Sequence, residues 1–207
     1  MRVYLTIPLL LIDVAALPAS ASNTQTQTVT LVHKPTRISN MAHDLFTFST
    51  PDVVAAWSAT DDRVMGGVSR SQLRFDPVGH AFFEGVMSME KNGGFASVRA
   101  WSEAPSIPNA THYVIELRGD GKRYKLNLRM SGRVDAVSYQ ATFATVAGRW
   151  TKVAVPVNSF VGTFRGRRVI DAPMLDATEV NQVGLMIADG QDGPFQLAVR
   201  RISVEAR

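Results

Sequence analysis

The chain has 207 residues, 45% of them apolar and 19% charged, with a formal net charge of +4 and no cysteine. That length suits one domain, and the apolar share is too high for a disordered chain and sufficient for one real core. The lack of cysteine excludes disulfides, thiol nucleophiles and thiolate-bound metals, and so small a charge excess does not mark a nucleic-acid binder.

The first forty residues stand apart. "MRVYLTIPLLLIDVAALPASASNTQTQ" is similar to an export signal, with a basic start at Arg2, an apolar stretch and a small-residue site at Ala19-Ser20-Ala21. Pro8 and Asp13 interrupt the apolar stretch, which is too short and broken for a membrane span. Met41 opens "MAHDLFTFSTPD" and would itself serve as a start. Two expectations follow for residues 1–40. Either they are a cleaved leader, giving a periplasmic or exported protein, or they precede the true start, giving a cytoplasmic one. Residues 41–207 are expected to form a single domain, with no transmembrane segment.

A short helix is predicted over Pro51–Trp57. Thr50 can cap it, Pro51 suits its first position and Asp52 its positive end. Next comes "WSATDDRVMGGVSRS", where two acids and a glycine pair mark a sharp turn or a ligand loop. A turn would use Gly66 and Gly67 for angles closed to other residues and Asp62 to tie backbone amides, with Val64 and Met65 filling core beneath. A ligand loop would use Asp62 as an acceptor. The turn reading is favoured there and at Asn92-Gly93-Gly94.

The remainder alternates with period two. In "THYVIELRGDGKRYKLNLRM", Tyr113, Ile115 and Leu117 share one face, and Tyr124, Leu126 and Leu128 alternate with Lys125, Asn127 and Arg129. The "GDG" of Gly119 to Gly121 reads as a hairpin turn between them. Further strands read at "AFFEGVMSME", "FASVRAW", "SYQATFAT", "TKVAVPV", "VGLMIA" and "FQLAVRRISVEA", with "DGQDGP" as another turn. Many short strands, turn residues at the corners and almost no helix predict an all-β sandwich or barrel.

Catalytic patterns are missing from the sequence. His33, His43, His80 and His112 are scattered without metal-ligand spacing, and no nucleophile elbow or phosphate loop is present. Asp61/Asp62 and Glu84/Glu90 are acid pairs whose bland reading is turn and surface. In "FASVRAW", Arg99 shares a face with Phe95 and Ser97, so it is either paired inside, with Asp62 or Asp189 as partner, or open in a binding groove. Trp101, Tyr124 and Tyr139 supply either core or a stacking platform for a sugar. Arg165, Arg167 and Arg168 form a basic loop suited to solvent or to an acidic partner.

Several of these pieces, in order, carry a resemblance. "DRVMGGVS" (Asp62–Ser69), "FEGVMSMEKNGGFASVR" (Phe83–Arg99), "GDGKRYKL" (Gly119–Leu126), "YQATF" (Tyr139–Phe143), Trp150, Pro156 with Phe160, "FRGR" (Phe164–Arg167) and "GLMIADGQDGPF" (Gly184–Phe195) follow one another. Together they resemble the complex I intermediate-associated protein 30 family over about Leu45 to Val204. One departure is Asp61, where the family often carries Asn.

The resemblance implies a galactose-binding-like jelly-roll β-sandwich. It further implies a non-enzymatic assembly factor for respiratory complex I, with protein partners among its subunits or assembly intermediates. No cofactor, metal or catalytic residue is expected. A carbohydrate- or small-ligand-binding module is the alternative. The candidate partner- or ligand-binding residues are Asp62, Arg63, Asn92, Arg99, Tyr124, Tyr139 and Asp189. The candidate structural glycines are Gly66, Gly67, Gly93, Gly94, Gly119 and Gly121. The end loops near Asp62, Asn92 and Asp189 are expected to grip the partner.

Overall fold

A computed structural model describes residues 41–103, 106–130 and 137–207. The leader-like segment 1–40 lies outside the described residues. In chain order the strands are β1 (Met41–Thr47), β2 (Ser58–Ala59), β3 (Arg70–Asp76), β4 (His80–Met87), β5 (Ala96–Trp101), β6 (Ala110–Arg118) and β7 (Arg123–Arg129). They continue as β8 (Ser138–Ala144), β9 (Trp150–Pro156), β10 (Val161–Phe164), β11 (Arg167–Arg168), β12 (Gln182–Ile187) and β13 (Gly193–Ala206). A single α-helix, α1 (Pro51–Ala55), and three one-turn 3-10 segments complete the described chain.

The strands form two antiparallel sheets. The first runs β3-β4-β13-β6-β9, with β1 also paired to β13; the second runs β11-β10-β8-β7-β12-β5-β2. Their inner faces meet on the residues that period-two alternation assigned to them. Tyr113, Ile115 and Leu117 come from one sheet and Tyr124, Leu126 and Leu128 from the other, all buried. Phe83, Tyr124 and Phe195 interlock at one end of the core with ring centroids 4.9–6.3 Å apart. Phe46, Phe48 and Trp57 fill another part.

Two local expectations need correction. The helix ends at Ala55, and Trp57 leaves it to pack edge-on against Phe46 at 4.9 Å. Thr50 occupies the cap position but makes no side-chain capping bond, so burial of Val54 anchors the turn instead. The "GDG" segment is not a hairpin. β6 pairs with β13 and β9, whereas β7 pairs with β8 and β12, so the segment carries the chain from one sheet to the other. Both strands already have neighbours on each side and cannot also pair with one another. Their apolar faces meet across the sandwich rather than lying side by side.

That crossover is tightly fastened. Asp120 accepts from the Tyr124 hydroxyl at 2.9 Å, from the Gln196 amide at 3.0 Å and from the Lys122 amide at 3.0 Å. The Thr145 hydroxyl accepts from the Gly121 amide and donates to the Lys122 carbonyl. Gly119 lies so close to Thr145 that a β-carbon there would come within 2.2 Å of its side chain. Gly119→Ala should therefore destabilise the protein by about 1–3 kcal/mol through overpacking. Urea denaturation checks this, and an unchanged midpoint would refute the account.

Candidate functional site

The signature turns fold into one knot around two carboxylates. Residues Asp62–Met65 form a 3-10 turn closed by Gly66, whose φ of 92° only glycine adopts freely. The turn directs Asp62 inward, where it is fully buried. Its carboxylate accepts from the Ser69 amide (2.9 Å), the Ser69 hydroxyl, the Gly94 amide (2.7 Å) and the Phe95 amide (3.3 Å). Gly67 and Gly93 make room for it, since a β-carbon at either would stand 2.3 Å or 2.6 Å from a carboxylate oxygen. Burial opposes the charge, but the hydrogen bonds from Ser69, Gly94 and Phe95 outweigh it and hold the carboxyl below its ordinary value.

Asp61 completes the knot. It accepts from the Ser71 amide (2.9 Å), the Ser71 hydroxyl (2.6 Å) and the Ser97 amide (3.0 Å). Ser71 lies on β3 and Ser97 on β5, so this one side chain ties the edge of the first sheet to the second. Both of its oxygens act as acceptors, a role that an acid fills and an amide fills only half as well. With both acids turned inward, Val64 and Met65 do not enter the core. They stand 72% and 59% exposed on the outside of the turn.

Beside the knot, the outer face of the second sheet carries a cleft of about 620 Å³. Its floor follows from strand register. Arg99 on β5 and Asn127 on β7 both lie opposite Gly184 of β12, and Asn127 lies opposite Gln140 of β8. Gly184 keeps the middle of this row low, since a β-carbon there would sit 3.4 Å from that of Arg99 and 3.6 Å from that of Asn127. Arg129 and Gln182 form the next row, and Lys125 and Met186 the row on the other side. Val64 and Met65 make one lip; Phe164, at the end of β10, and Arg165, in the turn after it, make the other.

Charge in the cleft is unbalanced. Of the described residues lining it, Arg99, Lys125, Arg129 and Arg165 are basic and only Asp189 is acidic. Asp189 is engaged by Lys125 at 2.7 Å. Among the described residues Arg99 forms no ion pair and no side-chain hydrogen bond. Burial pulls its guanidinium below the ordinary value, and the nearby charge of Arg129 adds to the effect. The Asn127 side-chain oxygen is shielded and has no donor. No group of three or more His, Asp or Glu among the described residues suits a metal ion.

The sequence-predicted site residues separate into three groups. Arg99 faces the cleft but meets neither Asp62 nor Asp189, because those carboxylates are taken by backbone amides and by Lys125. Tyr124 and Tyr139 are buried and offer no platform: their hydroxyls donate to Asp120 and to the Pro173 carbonyl. Burial first, then Asp120 for Tyr124 and Glu179 for Tyr139, pushes both phenols up. Arg63 and Asn92 are exposed on the knot's outer side, Asn92 with a left-handed φ of 58°. Sequence alone does not mark Asn127, Arg129, Gln140 and Gln182 as cleft residues, although the polar positions of β7 alternate with its core positions.

On the opposite outer face, that of the first sheet, the acids are engaged by arginines. Glu84 engages Arg74 at 2.7 Å and Gln196 at 3.0 Å, and Glu116 engages Arg200 and Arg201. The Arg200 guanidinium lies 4.1 Å over the Trp150 ring. His80 packs edge-on against Trp150 and Phe82, and burial lowers its pKa, keeping the imidazole neutral.

Two antiparallel sheets with a cleft on an outer face define a galactose-binding-like jelly-roll module. Solved structures agree: the chain superposes on a family 11 carbohydrate-binding module from Clostridium thermocellum in complex with a mixed-linked β-1,3-1,4 tetrasaccharide. That match has a TM-score of 0.57 at 13% identity and covers 79% of this chain and 94% of the module. A family 30 carbohydrate-binding module matches with a TM-score of 0.52 at 11% identity over 81% of this chain and 99% of its own. These likenesses establish the fold alone. Residues 46–199 match the family described as complex I intermediate-associated protein 30, and the chain belongs to it. The mitochondrial protein of that name from Drosophila melanogaster is 27% identical over 183 residues, and its Mus musculus counterpart 22% over 188. The chain spans 62% and 57% of their lengths, and 78% and 81% of it is covered.

Asp62→Asn should cost about 2–4 kcal/mol, because it replaces a charge-assisted acceptor and brings an amide against backbone N–H groups. Since folding depresses the Asp62 pKa, its contribution is present above the unfolded value near 3.8 and is lost as pH falls through the folded value. The stability difference between wild type and Asp62→Asn should accordingly shrink below about pH 4. A urea series at several pH values checks it; a difference that stays constant into acid would refute the assignment.

Proposed function

We propose that this chain is a non-enzymatic binding protein that assists the assembly or stabilisation of respiratory complex I. The observation that carries the reading is family membership across most of the domain, with the signature motifs spent on a rigid knot rather than on a reacting centre. A sandwich fastened in this way presents an outer sheet face without deforming, which keeps the ordering cost of binding low. Val64 and Met65 stand exposed on the knot's surface and line the cleft, so a client is held against the face and not by the end loops alone. A crosslinked pull-down of the protein at native level in its own host should recover complex I subunits or assembly intermediates. Recovery of envelope proteins only would overturn the reading.

One observation favours a second reading, a carbohydrate-binding module. Trp101 is 54% exposed, shares the outer face of β5 with Arg99, and lies opposite Gln182. An exposed indole beside side-chain amides suits a sugar ring. Calorimetry against soluble glycans decides it. Binding that is abolished by Trp101→Ala supports this reading, and no heat from any glycan removes it.

A further inference from the structure

The two outer faces treat their arginines differently. On the first sheet, Arg74, Arg200 and Arg201 are matched to Glu84, Glu116 or Asp44, and Arg118, without a carboxylate among the described residues, lies over the Trp150 ring. On the second sheet, Arg99 stands half-buried in a cleft with no carboxylate engaged and with another arginine near it. Withdrawing a guanidinium from water without a partner is unfavourable, and a second positive charge makes it more so. Among the described residues nothing supplies that partner. The neighbouring Asn127 oxygen likewise lacks a donor.

The shape narrows the choice of partner. The cationic and amide floor is bordered by apolar lips: Val64 and Met65 on one side, Phe164 on the other. A bare anion would answer Arg99 but leave the lips unused. A neutral sugar would answer the amide groups but not the charge. A peptide that carries a carboxylate between apolar residues answers both: its acid for Arg99 and apolar side chains for the lips.

We infer that this cleft is the client site, that it takes an acidic peptide segment flanked by apolar residues, and that Arg99 is the anchor for the acid. The inference rests on the assembly-factor reading for the source of that segment, but not for its chemistry.

An array of short overlapping peptides tests it. The peptides come from complex I subunits and from unrelated proteins of the same host, and the array is probed with the full-length protein and three variants. Binding should concentrate on peptides in which Asp or Glu adjoins an apolar residue, and should weaken with added salt. Arg99→Met should weaken it about tenfold or more, Arg99→Lys should retain part of it, and Lys152→Met, exposed on β9 of the other sheet, should leave it unchanged. Arg99→Met should also melt as high as wild type or higher, by about 2–4 °C, because it relieves an unmatched charge.

Equal binding by Arg99→Met, binding without preference for acids, or a melting temperature well below wild type would overturn the inference. Acid-selective binding that Arg99→Met abolishes, but found only on peptides from outside complex I, would uphold this site and remove the assembly role. Pull-down of complex I intermediates equally by wild type and Arg99→Met would do the reverse.

Discussion

The side chains of Asp61 and Asp62 are the point at which this sandwich is closed. Each is inside the protein, and each is surrounded by donors from segments far apart in sequence: Ser69 and Ser71 at the start of β3, Gly94, Phe95 and Ser97 at the start of β5. A buried carboxylate is tolerated only when its lone pairs are met, and here seven hydrogen bonds to the two acids meet them. The constraint propagates outward. Gly67 and Gly93 must lack side chains because the Asp62 carboxylate occupies that volume, and Gly66 must reverse the chain so that Ser69 can return to it. The lip of the cleft, Val64 and Met65, is what remains on the outside once the acids have turned in.

How far this was legible in sequence depends on the range of the interaction. Alternation on β6 and β7 identified the core faces correctly, because period two is set by the local backbone. The partner of each strand was not legible. "GDG" has the composition of a hairpin turn, and nothing local says that β6 and β7 each already have two neighbours elsewhere. The same limit governs the site. The turn reading of Asp62 follows from its glycines, but that its donors would include Gly94 and Phe95 requires the second signature to fold against the first. Tyr124 and Tyr139 offered core or platform, and only the packing of the two sheets makes them core. Val64 and Met65 were assigned inward by hydrophobicity, yet a single turn cannot place both its acids and its apolar residues inside, and the donors decided for the acids.

Asp61 illustrates how closely such a knot specifies the residue at its centre. Asn at this position, with its single side-chain oxygen, would meet only part of what Asp61 meets. The serines at 71 and 97 supply donors to both oxygens of the acid in this chain. The Ser97 hydroxyl in turn donates to the Thr60 carbonyl, and the Thr60 amide to the Ser97 carbonyl. The position is thus read by β3 and β5 together.

Rigidity at the knot and incompleteness on the adjoining face are two halves of one arrangement. The first sheet's outer face spends its charges internally, on Arg74–Glu84 and Glu116 with Arg200 and Arg201, and stacks its cations on Trp150 and Phe82. The second sheet's outer face keeps a half-buried guanidinium and a shielded amide oxygen without partners among the described residues, above a buried core. A loose scaffold would collapse such a face, letting Arg99 swing to water or to a nearby acid. The knot prevents this by fixing β5 at its first residues and by committing the nearest carboxylates elsewhere. The Arg99 guanidinium is therefore held at the cleft, and its lack of a partner is a property of the face, not a fault in the fold.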